Sequence, residues 1–140
     1  MKVLIVIPAR LKSTRMPEKM LADLCGKPLV VCTYEQAKKA KLAHDVVIAA
    51  DSPRIKEAVA EFGCKAILTP ERIKTGTDRM AFAAQTLKAD VFVNVQGDEP
   101  LINPKMIDSA IKPFLTNKKP DCSTLVQAIT QGEEATLRNP

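Results

Sequence analysis

The sequence predicts an α/β fold: helices on both faces of a mostly parallel sheet, joined by right-handed crossovers. Short apolar segments alternate with helix-like segments along the 140 residues. Segments 2–7 and 45–50 are almost continuously apolar, as parallel strands covered on both faces should be. The intervening segments carry helix start and stop signals. The length suits one domain spanning 1–140, with room for a real core and no repeat or linker.

Taken in order, strands are expected at 2–7, 45–50, 64–68, 90–95 and 122–129. A first helix is expected over 28–42, apolar in its first turn and lysine-rich at its end, which suits the helix dipole. Ser52-Pro53 supplies an N-cap and a proline at the first helical position. Ile55, Val59 and Phe62 then share a face, and Gly63 closes that helix. Met80, Ala83, Ala84 and Leu87 form a second apolar stripe. Asn103-Pro104 opens another helix with Ile107, Ala110, Ile111 and Phe114 inward. Residues 130–140 begin a short helix that stops at Pro140. A final strand with nothing after it leaves a bare sheet edge, so a fragment of something longer is expected.

Composition removes several classes. Hydrophobic content of 46% and charged content of 26% are ordinary for a soluble domain. Aromatics make up 4%, too few for base-stacking platforms, and no nucleic-acid partner is expected. The net charge of +5 traces to the 8–19 segment and to solvated faces such as Lys38-Lys39-Lys41. The apolar run after Lys2 is too short for a signal peptide, and nothing approaches the ~20 apolar residues of a membrane span. A cytoplasmic chain without membrane contact is the expectation. Cys25, Cys32, Cys64 and Cys122 form no C-x-x-C pair and read as structural thiols rather than a metal or disulfide set. His44, the single histidine, falls at a helix-to-strand turn and reads as a solvated surface residue.

The chemistry-bearing residues cluster after strands. Residues 8–19 (Pro-Ala-Arg-Leu-Lys-Ser-Thr-Arg-Met-Pro-Glu-Lys) follow the first strand and carry Arg10, Lys12, Arg15 and Lys19. Ligands of open α/β sheets bind at strand carboxyl ends, and a cationic loop there suits a polyanion such as a nucleoside triphosphate. Read alone, the segment also fits a basic surface loop. Neither G-x-G-x-x-G nor G-x-x-x-x-G-K-[ST] is present, so a dinucleotide fingerprint and a P-loop are unsupported. Val95-Gln96-Gly97-Asp98-Glu99-Pro100 ends another strand. Asp98 and Glu99 are hard oxygen ligands suited to Mg²⁺, Gln96 can address a base edge, and a polar turn is the plainer alternative. Thr75-Gly76-Thr77-Asp78-Arg79 opens a helix whose free N–H groups suit an anion or a base carbonyl, or simply a capped helix. Asp51 closes the second long strand, either as a site residue or as a helix cap. A parallel sheet would bring these ends to one edge, an arrangement suited to phosphoryl or nucleotidyl transfer.

In this order, I-P-A-R-x-x-S-T-R-x-P-x-K, Leu21, Gly26-Lys27-Pro28, Thr-Gly-Thr-Asp-Arg and V-Q-G-D-E-P resemble the 3-deoxy-manno-octulosonate (Kdo) cytidylyltransferases, or CMP-Kdo synthetases. The resemblance covers essentially the whole chain. It implies a Rossmann-like three-layer nucleotidyltransferase fold whose C-terminal part is missing here. It also implies a homodimer that transfers CMP from CTP to Kdo for lipopolysaccharide synthesis, releasing pyrophosphate with Mg²⁺. By position, Pro8, Ala9 and Arg10 would line the cytidine site, and Arg15 and Lys19 would hold the triphosphate. Thr75, where the family more often has serine, would help read the base or ribose with Arg79. Gln96 would contact the nucleotide and Asp98 would bind Mg²⁺, so that Lys19 and Asp98 are the expected catalytic pair. The resemblance implies that much of the sugar pocket and a second metal-binding aspartate lie beyond residue 140, so the 140-residue chain is expected to be inactive alone. A cytidylyltransferase for another acidic sugar (amino-Kdo or a sialic acid) and a non-catalytic CTP-binding module are the alternatives.

Overall fold

A computed structural model describes residues 1–12, 16–117 and 120–126. The chain order is β1 (Val3–Ala9), a 3-10 turn (Lys19–Leu21), β2 (Asp23–Leu24), β3 (Lys27–Pro28), α1 (Leu29–Ala37), β4 (Asp45–Ala50), α2 (Pro53–Ala60), β5 (Ala66–Leu68), α3 (Gly76–Thr86), β6 (Val91–Asn94), α4 (Pro104–Ile111) and a second 3-10 turn (Lys112–Leu115). The main sheet has the order β5-β4-β1-β6, and all its neighbouring strands run parallel. The three expected layers are present. Val3, Ile5, Ile7 and Ala9 of β1 pack with α1, α2 and α4, whereas Leu4 and Val6 pack toward Ala83 and Met80 of α3. Every residue of β1 is buried, which accounts for its unbroken apolar run.

β1 is longer than expected and includes Pro8 and Ala9. A proline in a central strand is tolerated here because of register. Lys2 and Val6 offer their backbone carbonyls to β6, accepting from Val91 and Val95, so Pro8 falls on the same side. The β6 ladder ends at Val6↔Asn94, and the missing N–H of Pro8 lies past it. β4 continues alongside to the end, pairing Pro8 with Ala49 and Ala9 with Ala50.

Other boundaries move for identifiable reasons. α1 stops at Ala37 rather than at 42, because the Lys41 and Leu42 amides donate to the Asp108 carboxylate of α4. β2 and β3, absent from the expected elements, form a hairpin whose central residues Cys25 and Gly26 both have positive φ (55° and 87°), as a type I′ turn requires. Ile55 and Val59 are buried, but α2 ends at Ala60 and Phe62 is 40% exposed in the turn that follows. The expected strand at 122–129 does not appear over 122–126, where Ser123 donates its hydroxyl to the Ala110 carbonyl of α4 instead; residues 127–129 lie outside the described residues, as do 130–140. Among the described residues β6 is therefore an edge strand. A cavity of about 530 Å³ flanks it, lined by Phe92, Asn94, Ala110, Phe114 and Leu125 among others.

The four cysteines are free. Cys64 is buried, and burial pushes its thiol up to about 11. Cys32 is half-buried, and Cys25 and Cys122 are exposed. His44 is exposed, and its Nδ1 accepts from the Val3 amide at 3.1 Å, steadying the first residue of β1. No helix among the described residues is long and apolar enough to cross a membrane.

Candidate nucleotide site

The carboxyl ends of β1, β4 and β6 lie side by side, as their parallel registers require. Three chain segments leave these ends and converge, together with the start of α3.

The segment after β1 is held at both of its described stretches. Its first residues are drawn toward the 69–74 segment that follows β5. Arg10 donates from Nη1 to the Lys74 carbonyl at 2.6 Å, and the Lys12 ammonium meets Glu71 Oε1 at 2.7 Å. The Lys12 ammonium holds the Glu71 carboxyl below its ordinary range, and Glu71 in turn raises Lys12. Both groups are exposed, so the pair orients side chains more than it stabilises the fold. The Leu11 amide donates to Asp51 Oδ1 at 2.8 Å. Further along, Glu18 adopts a left-handed conformation (φ 53°), uncommon for a residue with a Cβ, and pairs with Arg54 of α2. That turn delivers Lys19.

Lys19 meets the residues after β6. Its ammonium lies 2.6 Å from Asp98 Oδ2, and both side chains remain more than a third exposed. A cation and a carboxylate that solvent reaches face each other across the mouth of the strand ends. Gly97, between Gln96 and Asp98, lets the chain pass close to β1. A Cβ there would sit 2.8 Å from Met20 Sδ and 3.0 Å from the Pro8 carbonyl oxygen. The Gly97 carbonyl accepts from buried Thr33 Oγ1 at 2.9 Å, which fixes the turn from the α1 side.

The start of α3 forms the opposite wall. Thr75 caps the helix: its Oγ1 accepts from the Asp78 amide at 3.0 Å and donates to Asp78 Oδ2 at 2.6 Å. A Cβ at Gly76 would come 3.4 Å from Pro8 Cγ and 3.6 Å from Gln96 Nε2, so α3, β1 and the β6 end touch at one point. Pro8 and Ala9 are buried beneath, and Gln96 and Thr75 are exposed.

Lys19, Asp98, Arg10, Pro8, Ala9, Thr75 and Gln96 are thus grouped at one edge of the sheet, while Arg15 lies outside the described residues. Arg79 is placed differently. Its side chain is 0% exposed and turned inward, the largest fully buried side chain among the described residues. Its guanidinium donates to Thr69 Oγ1, to the Ile73 carbonyl at 2.7 Å and to the Pro70 carbonyl at 3.3 Å. Nη2 lies 3.6 Å from Asp51 Oδ2, an ion pair rather than a hydrogen bond, and the Asp51 side chain is 5% exposed. Burial pulls the Arg79 guanidinium below its ordinary value; Asp51 opposes that, and Arg10 adds to it. Asp51 does not cap α2: Ser52 does, accepting from the Arg54 amide at 3.2 Å. The buried role of Asp51, the anchoring by Glu71 and the Lys74 carbonyl, and the Thr33 bond to Gly97 were not evident in the sequence. The available signals were a charged residue, Arg79, one turn before Ala83 on the apolar face of α3, and a threonine, Thr33, within an apolar helix.

Asp98 tests the expected metal. Among the described residues no group of three or more His, Cys, Asp or Glu side chains could enclose an ion. Mg²⁺ does not need such a cage: it binds through one or two carboxylates and completes its shell with water and substrate phosphates. A solvent-reached carboxylate such as Asp98 fits that requirement.

A cytidylyltransferase family model matches residues 4–140. A protein of Chloroherpeton thalassium named 3-deoxy-manno-octulosonate cytidylyltransferase is 63% identical over the whole chain, which spans 57% of that relative's length. A solved structure of CMP:2-keto-3-deoxy-manno-octonic acid synthetase complexed with CTP is similar with a TM-score of 0.81 and 39% identity, over 84% of this chain and 48% of that one. A more distant structure, Rv0371c of Mycobacterium tuberculosis in complex with manganese, matches 81% of this chain and 59% of its own at 16% identity and a TM-score of 0.60, a likeness of fold.

Proposed function

The chain belongs to the cytidylyltransferase family, and from that premise we propose that it forms the nucleotide-binding part of a CMP-Kdo synthetase, transferring CMP from CTP to Kdo with release of pyrophosphate. The names of its relatives favour Kdo as the acceptor and CTP as the donor. The observation that carries the reading is the meeting of Lys19 with Asp98 across the strand ends, with the Arg10 loop and the α3 start on either side.

In this reading Pro8, Ala9 and Arg10 line the nucleoside end, Thr75 and Gln96 address the base or ribose, and Arg15 and Lys19 hold phosphates. Asp98 would hold the divalent ion, Mg²⁺, which would offset phosphate charge when bound. The sugar hydroxyl attacks the α-phosphorus in line as the bond from that phosphorus to the bridging oxygen breaks, pyrophosphate leaves opposite and the hydroxyl proton passes to solvent, so no covalent intermediate on the protein is needed. Catalysis then consists of positioning and charge neutralisation. Lys19 exchanges its carboxylate partner for phosphate oxygens as the nucleotide enters. Arg79, buried, supports this wall from behind rather than reading the base. The working enzyme is a cytoplasmic homodimer on this reading, as the family resemblance implies.

Calorimetric titration of the chain with CTP and Mg²⁺, beside a pyrophosphate-release assay with Kdo, amino-Kdo and sialic acid, tests the proposal. CTP binding with a preference over ATP and GTP is expected, and no preference would sink it. Lys19→Ala should weaken CTP binding about tenfold, while the unfolding free energy changes by no more than an exposed ion pair contributes, about 0–1 kcal/mol. No sugar-dependent pyrophosphate release is expected from the 140-residue chain itself; turnover with Kdo would overturn that expectation, and turnover with a sialic acid and none with Kdo would also move the acceptor assignment.

A further inference from the structure

The basic loop reaches the site through a chain of contacts that begins at a buried charge pair. Asp51 Oδ1 accepts from the Leu11 amide, between Arg10 and Lys12. Asp51 Oδ2 faces the Arg79 guanidinium. That guanidinium grips Thr69, Pro70 and Ile73, and the same short segment offers Glu71 to Lys12 and the Lys74 carbonyl to Arg10. Arg79 also lies in the first turn of α3, whose start carries Thr75 and Gly76. One pair therefore touches the loop after β1, the segment after β5 and the start of α3, and neither member is exposed enough to meet a ligand.

We propose that Asp51 and Arg79 are positioning residues of the nucleotide site: Asp51 sets the Leu11 backbone, Arg79 sets the 69–74 segment, and together they fix the loop that carries Arg10 beside the nucleotide. The inference rests on the proposed CTP site for its ligand, but its geometric part stands independently. A buried ion pair is weak evidence of a purely stabilising role, because apolar residues of similar volume often serve as well. Here each member also bonds a different site segment, Asp51 the Leu11 amide and Arg79 the stretch from Thr69 to Ile73, while the buried Arg79 Nε is left without an acceptor among the described residues. An apolar replacement would fill the space and leave those segments unheld.

The test compares the wild-type chain with Asp51→Ala, Asp51→Asn and, as a remote control, Lys65→Ala. Three quantities are read: the dissociation constant for CTP with Mg²⁺ by calorimetry at 10 °C, hydrogen exchange at Leu11 and at Ile5, and the melting temperature. Asp51→Ala should raise the dissociation constant at least tenfold and speed Leu11 exchange at least tenfold, with Ile5 unchanged. Asp51→Asn keeps an acceptor for Leu11, so Leu11 protection should stay within about threefold of wild type while CTP binding weakens through the released 69–74 segment. Lys65→Ala should change neither. A merely structural role would lower the melting temperature and leave both the dissociation constant and Leu11 protection as they are; that result overturns the proposal. Should Asp51→Ala fail to fold, Asp51→Asn decides: wild-type CTP affinity in that variant overturns the role of the pair. If the wild-type chain binds no CTP, the functional reading fails, and unchanged Leu11 exchange in Asp51→Ala would separately sink the positioning role.

Discussion

Gly97 shows how closely the site is built at the scale of single residues. The backbone at 97 lies against Met20 and the Pro8 carbonyl, with Thr33 bonding its own carbonyl from below. A methyl group there pushes on a flexible sulfur and on a backbone oxygen that cannot yield without disturbing β1. Gly97→Ala should therefore cost about 1–3 kcal/mol of stability, as overpacking typically does, and should displace Asp98 from Lys19. Urea unfolding checks the first effect and CTP affinity the second. The polar residues around Gly97 were readable in the sequence because Arg10, Gln96 and Asp98 come at the ends of apolar runs and Lys19 closes the basic segment after the first of them. The burial of Arg79 was not readable for a physical reason: charged side chains are seldom buried without partners, and its partners Asp51, Thr69 and Ile73 lie elsewhere in the chain.

At the scale of elements, local signals performed well where the chain bonds to itself. Ser52-Pro53 and Asn103-Pro104 start α2 and α4 where those caps predict, each cap side chain accepting an amide two residues on. They performed poorly where an element ends against another. The 38–42 region has helical composition, yet Asp108 of α4 takes the Lys41 and Leu42 amides and ends α1 early. Asp108→Ala should leave those amides without their acceptor and cost about 1–3 kcal/mol, within the range for bonds to a charged group; Asp108→Asn should recover about half of it. Denaturant melts of both variants measure this. The β2–β3 hairpin escaped notice because each strand has two residues and one turn position holds Cys25 rather than the usual Asn or Asp.

At the scale of the molecule, the net charge of +5 includes the cations gathered after β1. If these cations hold a triphosphate, the attraction is partly through solvent and must weaken with salt. Raising NaCl from 50 to 500 mM should increase the CTP dissociation constant about 3–10-fold, since the Debye length falls below the spacing of exposed charges; an unchanged constant would mean the cations do not face the nucleotide. The sequence by itself determined the parallel α/β layering, since continuously apolar strands and capped helices have few other ways to bury their faces. It also determined which strand ends carry chemistry, because ligand-facing polar residues interrupt apolar runs. Only the tertiary structure decided which cation meets which carboxylate: Lys19 with Asp98, Lys12 with Glu71, Arg79 with Asp51. Those pairs join residues 79, 59 and 28 positions apart, and no local propensity encodes them. They follow from the register of β1 against β4 and β6, which is set by the burial of the whole sheet.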